Sequence, residues 1–184
     1  MNFKASLDIF LDGKIWQSAC VATSEILFSE SVVKACESNY CGKYNSNWTC
    51  PPAVGKLDDL KKKYLSFSYA YVFTTKHDIE DCFDIEGMFL AKREHEKIEY
   101  ELLEFLLGVD YQILGVGGCS ICKKCTYPDA PCRFPEKARA SVEACGIDVL
   151  DLAKKCNINY INGENTVTYF SVVFLNDCNL GENR

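Results

Sequence analysis

Histidine is nearly missing from this sequence: His77 and His95 are the only two in 184 residues. That scarcity argues against imidazole-rich metal sites and most cysteine–histidine hydrolases, which need a ring nitrogen as ligand or base. A basic stripe is missing too. Lys and Arg number 20 against 26 Asp and Glu, a formal charge of -6 with no local concentration of positive charge, which disfavours nucleic acid as a partner. No apolar run approaches the roughly 20 residues needed to cross a bilayer, the best candidate being Val167 to Leu175. The opening MNFKASLDIFLDGK interrupts its apolar residues with Asp8 and Asp12 and has neither a basic leader nor a small-residue cleavage site. Export is therefore not expected, and a soluble cytoplasmic protein with no membrane partner is. Gly115, Gly117 and Gly118 match neither the dinucleotide fingerprint nor a phosphate loop ending in Lys-Ser/Thr.

Cysteine, by contrast, is abundant: 12 residues in a chain that is 48% hydrophobic. A chain of this size and composition builds its own core as one compact domain over residues 1–184. Disulfide staples belong to small exported domains that lack such a core, so thiolates gathered around metal are the better account of the cysteines.

Period and punctuation predict an α/β or α+β domain with a mixed sheet of about four strands flanked by helices. A strand-like segment falls within Ala19 to Phe28, and Ser29 is the N-cap candidate of a helix running to Glu37. Leu57 to Leu65 reads as an amphipathic helix and Tyr69 to Thr74 as a buried strand. The longest helix spans Ile85 to Leu107, with Ile85, Met88, Phe89, Ile98, Leu102, Phe105 and Leu106 at helical spacing. Tyr111 to Val116 is a strand that presents the cysteine loop after it; Ser141 to Lys155 is a helix broken near Gly146, and Val167 to Leu175 is the last strand. Parallel pairing through helical crossovers and a mixed sheet both fit this order. The tail, 176–184, is polar and expected to be loose.

The strongest motif is the second cysteine loop, residues 117–135, where Cys119, Cys122, Cys125 and Cys132 follow the pattern C-x2-C-x2-C-x6-C. All-thiolate sites select zinc or iron–sulfur centres. Structural zinc usually gathers its sulfurs as two separated C-x2-C knuckles at bonds of about 2.3 Å. Three thiols in consecutive C-x2-C steps and a more distant fourth suit a [4Fe–4S] cluster, in which each thiolate takes a different iron. Gly117 and Gly118 allow a tight turn with N–H groups aimed at cluster sulfur. Pro128, Pro131 and Pro135 stiffen the connection, while Ile121, Tyr127 and Phe134 shield the centre. Lys123, Lys124 and Arg133 either offset its negative charge or are an ordinary solvated face. A structural zinc knot and a reactive C-x-x-C pair are the alternatives.

The first cysteine loop, residues 36–52, offers Cys36, Cys41 and Cys50 in a C-x4-C-x8-C-P-P arrangement, a possible second metal site with no evident fourth thiol. Cys20, Cys82, Cys145, Cys156 or Cys178 completes it from elsewhere, or one iron stays open to bind a small-molecule substrate as a Lewis acid. Tyr40, Tyr44 and Trp48 then form an aromatic shield or pocket; otherwise the loop is pinned to the core with its cysteines free and buried. His95, inside the charged run KREHEKIEYE, reads as surface or helix packing, and the acidic residues beside it need no catalytic role.

Two stretches carry a family resemblance: Cys36 through Cys41, Tyr44 and Trp48 to Cys50-Pro51-Pro52, and Gly118-Cys119 through Cys122, Cys125-Thr126-Tyr127-Pro128 and Cys132-Arg133-Phe134-Pro135 to Ala144-Cys145-Gly146-Ile147-Asp148-Val149. In these the chain resembles predicted metal-binding proteins, number 2284 among the domains of unknown function, from anaerobic bacteria and archaea. The resemblance runs from about Cys36 onward and implies that the two loops form one functional unit. The C-x2-C-x2-C step also looks like a ferredoxin loop, although the x6 spacing and Arg133 after Cys132 depart from it. Together these readings predict an iron–sulfur protein acting in electron transfer with a redox partner protein. An open-iron enzyme and a structural zinc interaction module are the alternatives.

Overall fold

A computed structural model of the chain describes residues 3–176. Helix α1 (Phe3–Leu11) leads into β1 (Gln17–Ala22), a 3-10 turn at Thr23–Glu25 and α2 (Glu30–Glu37). Beyond the first cysteine loop come α3 (Leu57–Leu65), β2 (Tyr69–Asp78), α4 (Ile85–Phe105) and β3 (Tyr111–Leu114). The second loop then runs to a 3-10 turn at Glu143–Cys145, α5 (Val149–Lys155) and β4 (Thr166–Leu175).

The four strands form one sheet in the order β1-β2-β4-β3, and every neighbouring pair is antiparallel. Strands β2 and β3, joined through α4, run the same way but have β4 between them, a split β-α-β arrangement. The crossover suggested by the sequence is therefore present, while the parallel pairing it allowed is not. Among the described residues, parallel contact is confined to an isolated bridge between Gly115 and Ser141.

Both faces of this antiparallel sheet are covered, which explains the unbroken apolar runs in β2 and β4. On one face Ala70, Val72, Val172 and Phe174 pack with Leu60 and Tyr64 of α3 and with Leu152 of α5. On the other, Tyr71, Phe73, Val173 and Leu175 meet Leu7 and Leu11 of α1 and Leu102 of α4. Alternation along the strand thus feeds two cores rather than one core and solvent. Helix α1 has no counterpart in the sequence reading; its Asp8 accepts a hydrogen bond from the Tyr71 hydroxyl at 2.8 Å.

Helix starts follow capping chemistry. Ser29 Oγ accepts from Ser31 N at 3.2 Å, Asp84 Oδ1 from Gly87 N at 2.8 Å and Asp148 Oδ1 from Asp151 N at 3.0 Å. Gly146, with φ of 77°, supplies the left-handed residue that splits the helix expected over Ser141 to Lys155. Of the expected tail, 177–184 lie outside the described residues. Asn176 is tied down, its side chain accepting from Ser68 N at 3.2 Å and donating to Asp110 at 3.2 Å.

Candidate metal centre

Strand β3 delivers the second cysteine loop, and a bridge closes its base. Gly115 N donates to Ala140 O at 2.9 Å and Val142 N to Gly115 O at 3.2 Å, so the chain leaves the sheet and returns at one point. Inside the loop, Ala130 N donates to Thr126 O at 3.0 Å, Thr126 Oγ1 to Pro131 O at 2.8 Å, and Arg133 to Lys124 O at 3.0 Å. These bonds wrap the stretch from Cys122 to Cys132 back on itself.

Cys119, Cys122, Cys125 and Cys132 line one small cavity, together with Ile121 and Phe134. All four are half-buried free thiols. Thr49, Thr126, Asn47 and Arg133 are the polar neighbours, and the lining contains no carboxylate and no imidazole. Sulfur is thus its only strong metal donor, which fits a soft metal centre and not a hard cation. Burial raises the Cys119 thiol above its usual range and the charges of Cys132, Cys122 and Cys125 raise it further, while the Ile121 backbone N–H lowers it. A bound cation reverses this repulsion by pairing with the thiolates. Among the described residues, no three Cys, His, Asp or Glu side chains are grouped to hold a single metal ion.

The first loop docks against this cavity. Trp48 Nε1 donates to Ala130 O at 3.1 Å, and its ring meets Tyr127 edge-on with centroids 5.0 Å apart. The Tyr127 hydroxyl donates to Asn45 Oδ1 at 2.8 Å, and Cys119 N to Thr49 Oγ1 at 3.4 Å. Within the first loop, Asn47 Oδ1 accepts from both Thr49 N and Thr49 Oγ1, at 3.0 and 2.8 Å, which fixes the residue facing Cys119.

The two glycines before Cys119 serve this docking. Gly117 has φ of 59°, and a Cβ at Gly118 would fall 2.7 Å from Lys43 Cγ. A backbone N–H, that of Ile121, reaches the Cys119 sulfur. Ile121 and Phe134 line the cavity as expected of shielding residues, whereas the third apolar wall is Trp48 from the other loop. Tyr127 supports that indole from behind.

Cys36, Cys41 and Cys50 are brought near one another but into unequal settings. Cys50 is buried, Cys36 half-buried and Cys41 exposed. Cys36 and Cys41 border a broad open cleft with Tyr40 and Tyr160. Burial raises the Cys36 thiol, with further upward pushes from Glu143, Cys50 and Cys41; burial also raises Cys50. Tyr40 is 97% exposed and shields nothing.

The more distant cysteines fare as follows. Cys145 lies near enough to Cys36 for their charges to interact, but it is buried with Sγ 3.5 Å from the Tyr64 hydroxyl, and burial lifts it to about 11. Cys156 is likewise lifted to about 11, chiefly by burial. Cys20 lies on β1, at the sheet edge opposite β3; Cys82 is exposed. Cys178 lies outside the described residues.

Of the two readings of His95, surface or helix packing, the structure shows packing: His95 and, beside it, Glu99 are 0% and 1% exposed. The buried stripe of α4 runs Ala91, His95, Glu99, Leu102, while Ile85 and Phe89, expected inside, are exposed. The spacing of His95 and Glu99 with Ala91 and Leu102 was the available signal; their charge concealed it.

Fold and site together define a two-core antiparallel α/β domain with a thiol-lined cavity walled on one side by an aromatic from the first cysteine loop. The chain belongs to the predicted metal-binding protein family, domain of unknown function 2284, whose model matches residues 19–175. The match extends the resemblance back from Cys36 to Ala19, within β1. No curated protein and no solved structure matches the chain.

Proposed function

We propose that this chain is an iron–sulfur protein in which Cys119, Cys122, Cys125 and Cys132 hold a [4Fe–4S] cluster that passes electrons to a partner protein in an anaerobe's cytoplasm. The observation that carries the reading is one cavity ringed by four thiols with sulfur as its only strong donor. When bound, such a cluster supplies one-electron redox chemistry. The chain's own groups do the rest. Ile121 N–H stabilises a thiolate at Cys119, while Trp48, Ile121 and Phe134 restrict water. Exposed Lys123, Lys124 and Arg133 give the loop a positive rim suited to an acidic redox partner.

Anaerobic ultraviolet–visible and electron paramagnetic resonance spectra, before and after reduction, test this. The expected result is a brown protein that bleaches on reduction and gains a paramagnetic signal. A colourless protein whose spectra do not respond overturns it.

A second reading is favoured by the cleft at Cys36 and Cys41: a second cluster held by Cys36, Cys41 and Cys50, with one iron left open to a small-molecule substrate. Added small ligands then perturb one of two cluster signals. If every iron is cysteine-ligated and none responds, this reading fails. A structural zinc module for protein interaction predicts zinc without sulfide.

A further inference from the structure

Burying a histidine and a glutamate on one helix needs a reason, and their partners supply one. His95 Nδ1 lies 2.7 Å from Thr75 Oγ1, and His95 Nε2 lies 2.7 Å from Ser171 Oγ. Ser171 Oγ donates to Glu99 Oε1 at 2.7 Å, and Thr75 Oγ1 lies 2.8 Å from His77 Nε2. Five side chains from α4, β2 and β4 thus form one unbroken line, His77–Thr75–His95–Ser171–Glu99.

The proton positions follow from valence. A serine hydroxyl has one hydrogen, and Ser171 gives it to the Glu99 carboxylate, so Ser171 must accept from His95 Nε2–H. Burial pushes His95 down to about 3, so the ring is neutral and its Nδ1 is an acceptor. Thr75 must then donate to His95 and accept from His77 Nε2–H. Every donor in the line points toward Glu99.

The two ends differ in kind. His77 is half-exposed and lines a broad surface cleft with Lys14, Trp16 and Glu101. Glu99 is buried, held through Oε2 by Arg139 Nε at 2.8 Å. A Cβ at Gly115 would fall 2.5 Å from Glu99 Oε1, so the carboxylate lies against the backbone that opens the second cysteine loop. Glu99, Arg139, Gly117 and Cys119 border the same small cavity. Satisfying Glu99 alone would require only Arg139 and Ser171; the line beyond them leads to solvent.

We propose that His77, Thr75, His95, Ser171 and Glu99 are a one-proton relay that carries a proton from the surface cleft to the carboxylate beneath the second cysteine loop. A proton binds His77 Nδ1, and the Nε2 proton of His77 passes to Thr75 Oγ1. Thr75 passes its own to His95 Nδ1, His95 its Nε2 proton to Ser171 Oγ, and Ser171 its own to Glu99 Oε1. One proton enters and one rests on Glu99, no electron moves, and every hydrogen bond in the line is reversed. Its use rests on the iron–sulfur reading: a proton taken up beneath a thiolate centre offsets negative charge gained there. The relay itself does not depend on that reading.

The charged groups facing the line are Glu94 and Asp78 at His77, Lys92, His77 and Arg139 at His95, and Arg139 and Glu96 at Glu99. Burial raises Glu99 above the usual carboxyl range, which permits the neutral acid in the folded state.

Nitrogen-15 spectra of the full chain with labelled histidines, followed through acidification alongside the infrared carbonyl band of protonated Glu99, test the relay. Glu99→Gln assigns the band and His77→Gln the ring signals. Both rings are expected as Nε2–H tautomers at high pH. As the Glu99 acid band grows, His95 is expected to switch to Nδ1–H with the same midpoint. In Thr75→Val, His77 should titrate apart from that event, and Thr75→Ser should restore the shared midpoint. An Nδ1–H tautomer of His95 at high pH overturns the proposal. So does Glu99 protonating with His95 unchanged, or no Glu99 acid band in the folded range. None of these readouts depends on which metal is bound, so failure of the relay is distinct from failure of the cluster reading.

Discussion

The two cysteine loops differ less in cysteine number than in how each is closed. Residues 117–135 lie in a loop pinned by the Gly115–Ser141 bridge and wrapped by internal bonds, and all four of their thiols border one cavity. The loop over residues 36–52 spreads its three thiols from exposed to buried and lends Trp48 to its neighbour. The lesson is that the second loop is built as a container, whereas the first is both a wall of that container and the edge of a separate cleft.

The sharpest way to break this comparison is to remove one thiol from each loop. Cys122→Ser is expected to lose most of the bound iron and sulfide, whereas Cys41→Ser should leave the second loop's metal content unchanged; metal analysis of the two purified variants decides it. Equal losses would mean one shared centre. Next in size is Trp48→Ala, which deletes the indole bond to Ala130 and the contact with Tyr127. For a half-buried tryptophan a cost of about 2 kcal/mol is expected by denaturant titration, together with faster metal loss to a chelator.

Acid should weaken the chain through α4. His95 sits at about 3 against a usual 6.5, so the unfolded state binds a proton that the folded state refuses. Its contribution is complete above about pH 6.5 and is lost as pH falls toward 3, on the order of 5 kcal/mol. Glu99 acts in the opposite sense, since its raised value adds stability that is full below 4.5 and lost as pH rises through the folded value. His95→Gln should therefore flatten the fall in stability between pH 6.5 and 3, which thermal melts over that range measure. The smallest effect is expected at Tyr40→Ala, within about 0.5 kcal/mol for so exposed a side chain. An altered response of cluster spectra to small ligands in that variant would sharpen the role of the first loop's cleft.

Much of this molecule was legible in its sequence because the relevant signals are local. Leu57–Leu65 is a helix as its pattern indicates, Ser29 caps α2, and Gly146 breaks the run from Ser141 to Lys155. Local spacing likewise singled out Cys119, Cys122, Cys125 and Cys132, which share one cavity. What stayed hidden depends on contacts between distant segments. Pairing direction was not written in apolar runs, since two-sided burial gives β2 and β4 the look of parallel strands. Trp48 was grouped with its own loop because nothing in sequence announces Ala130 and Tyr127 as partners. Charge left the surface and packing readings of His95 unresolved, because its burial with Glu99 is explained only by Thr75, Ser171 and Arg139 across the sheet and beyond the loop.

The central claim is that the cavity of the second loop holds a four-iron cluster, and the most direct test is iron, zinc and acid-labile sulfide analysis of the anaerobically purified chain. About four iron and four sulfide per chain, the content of one [4Fe–4S] cluster, is the predicted result, with about twice that if the first loop is also loaded. Stoichiometric zinc with no sulfide would contradict it.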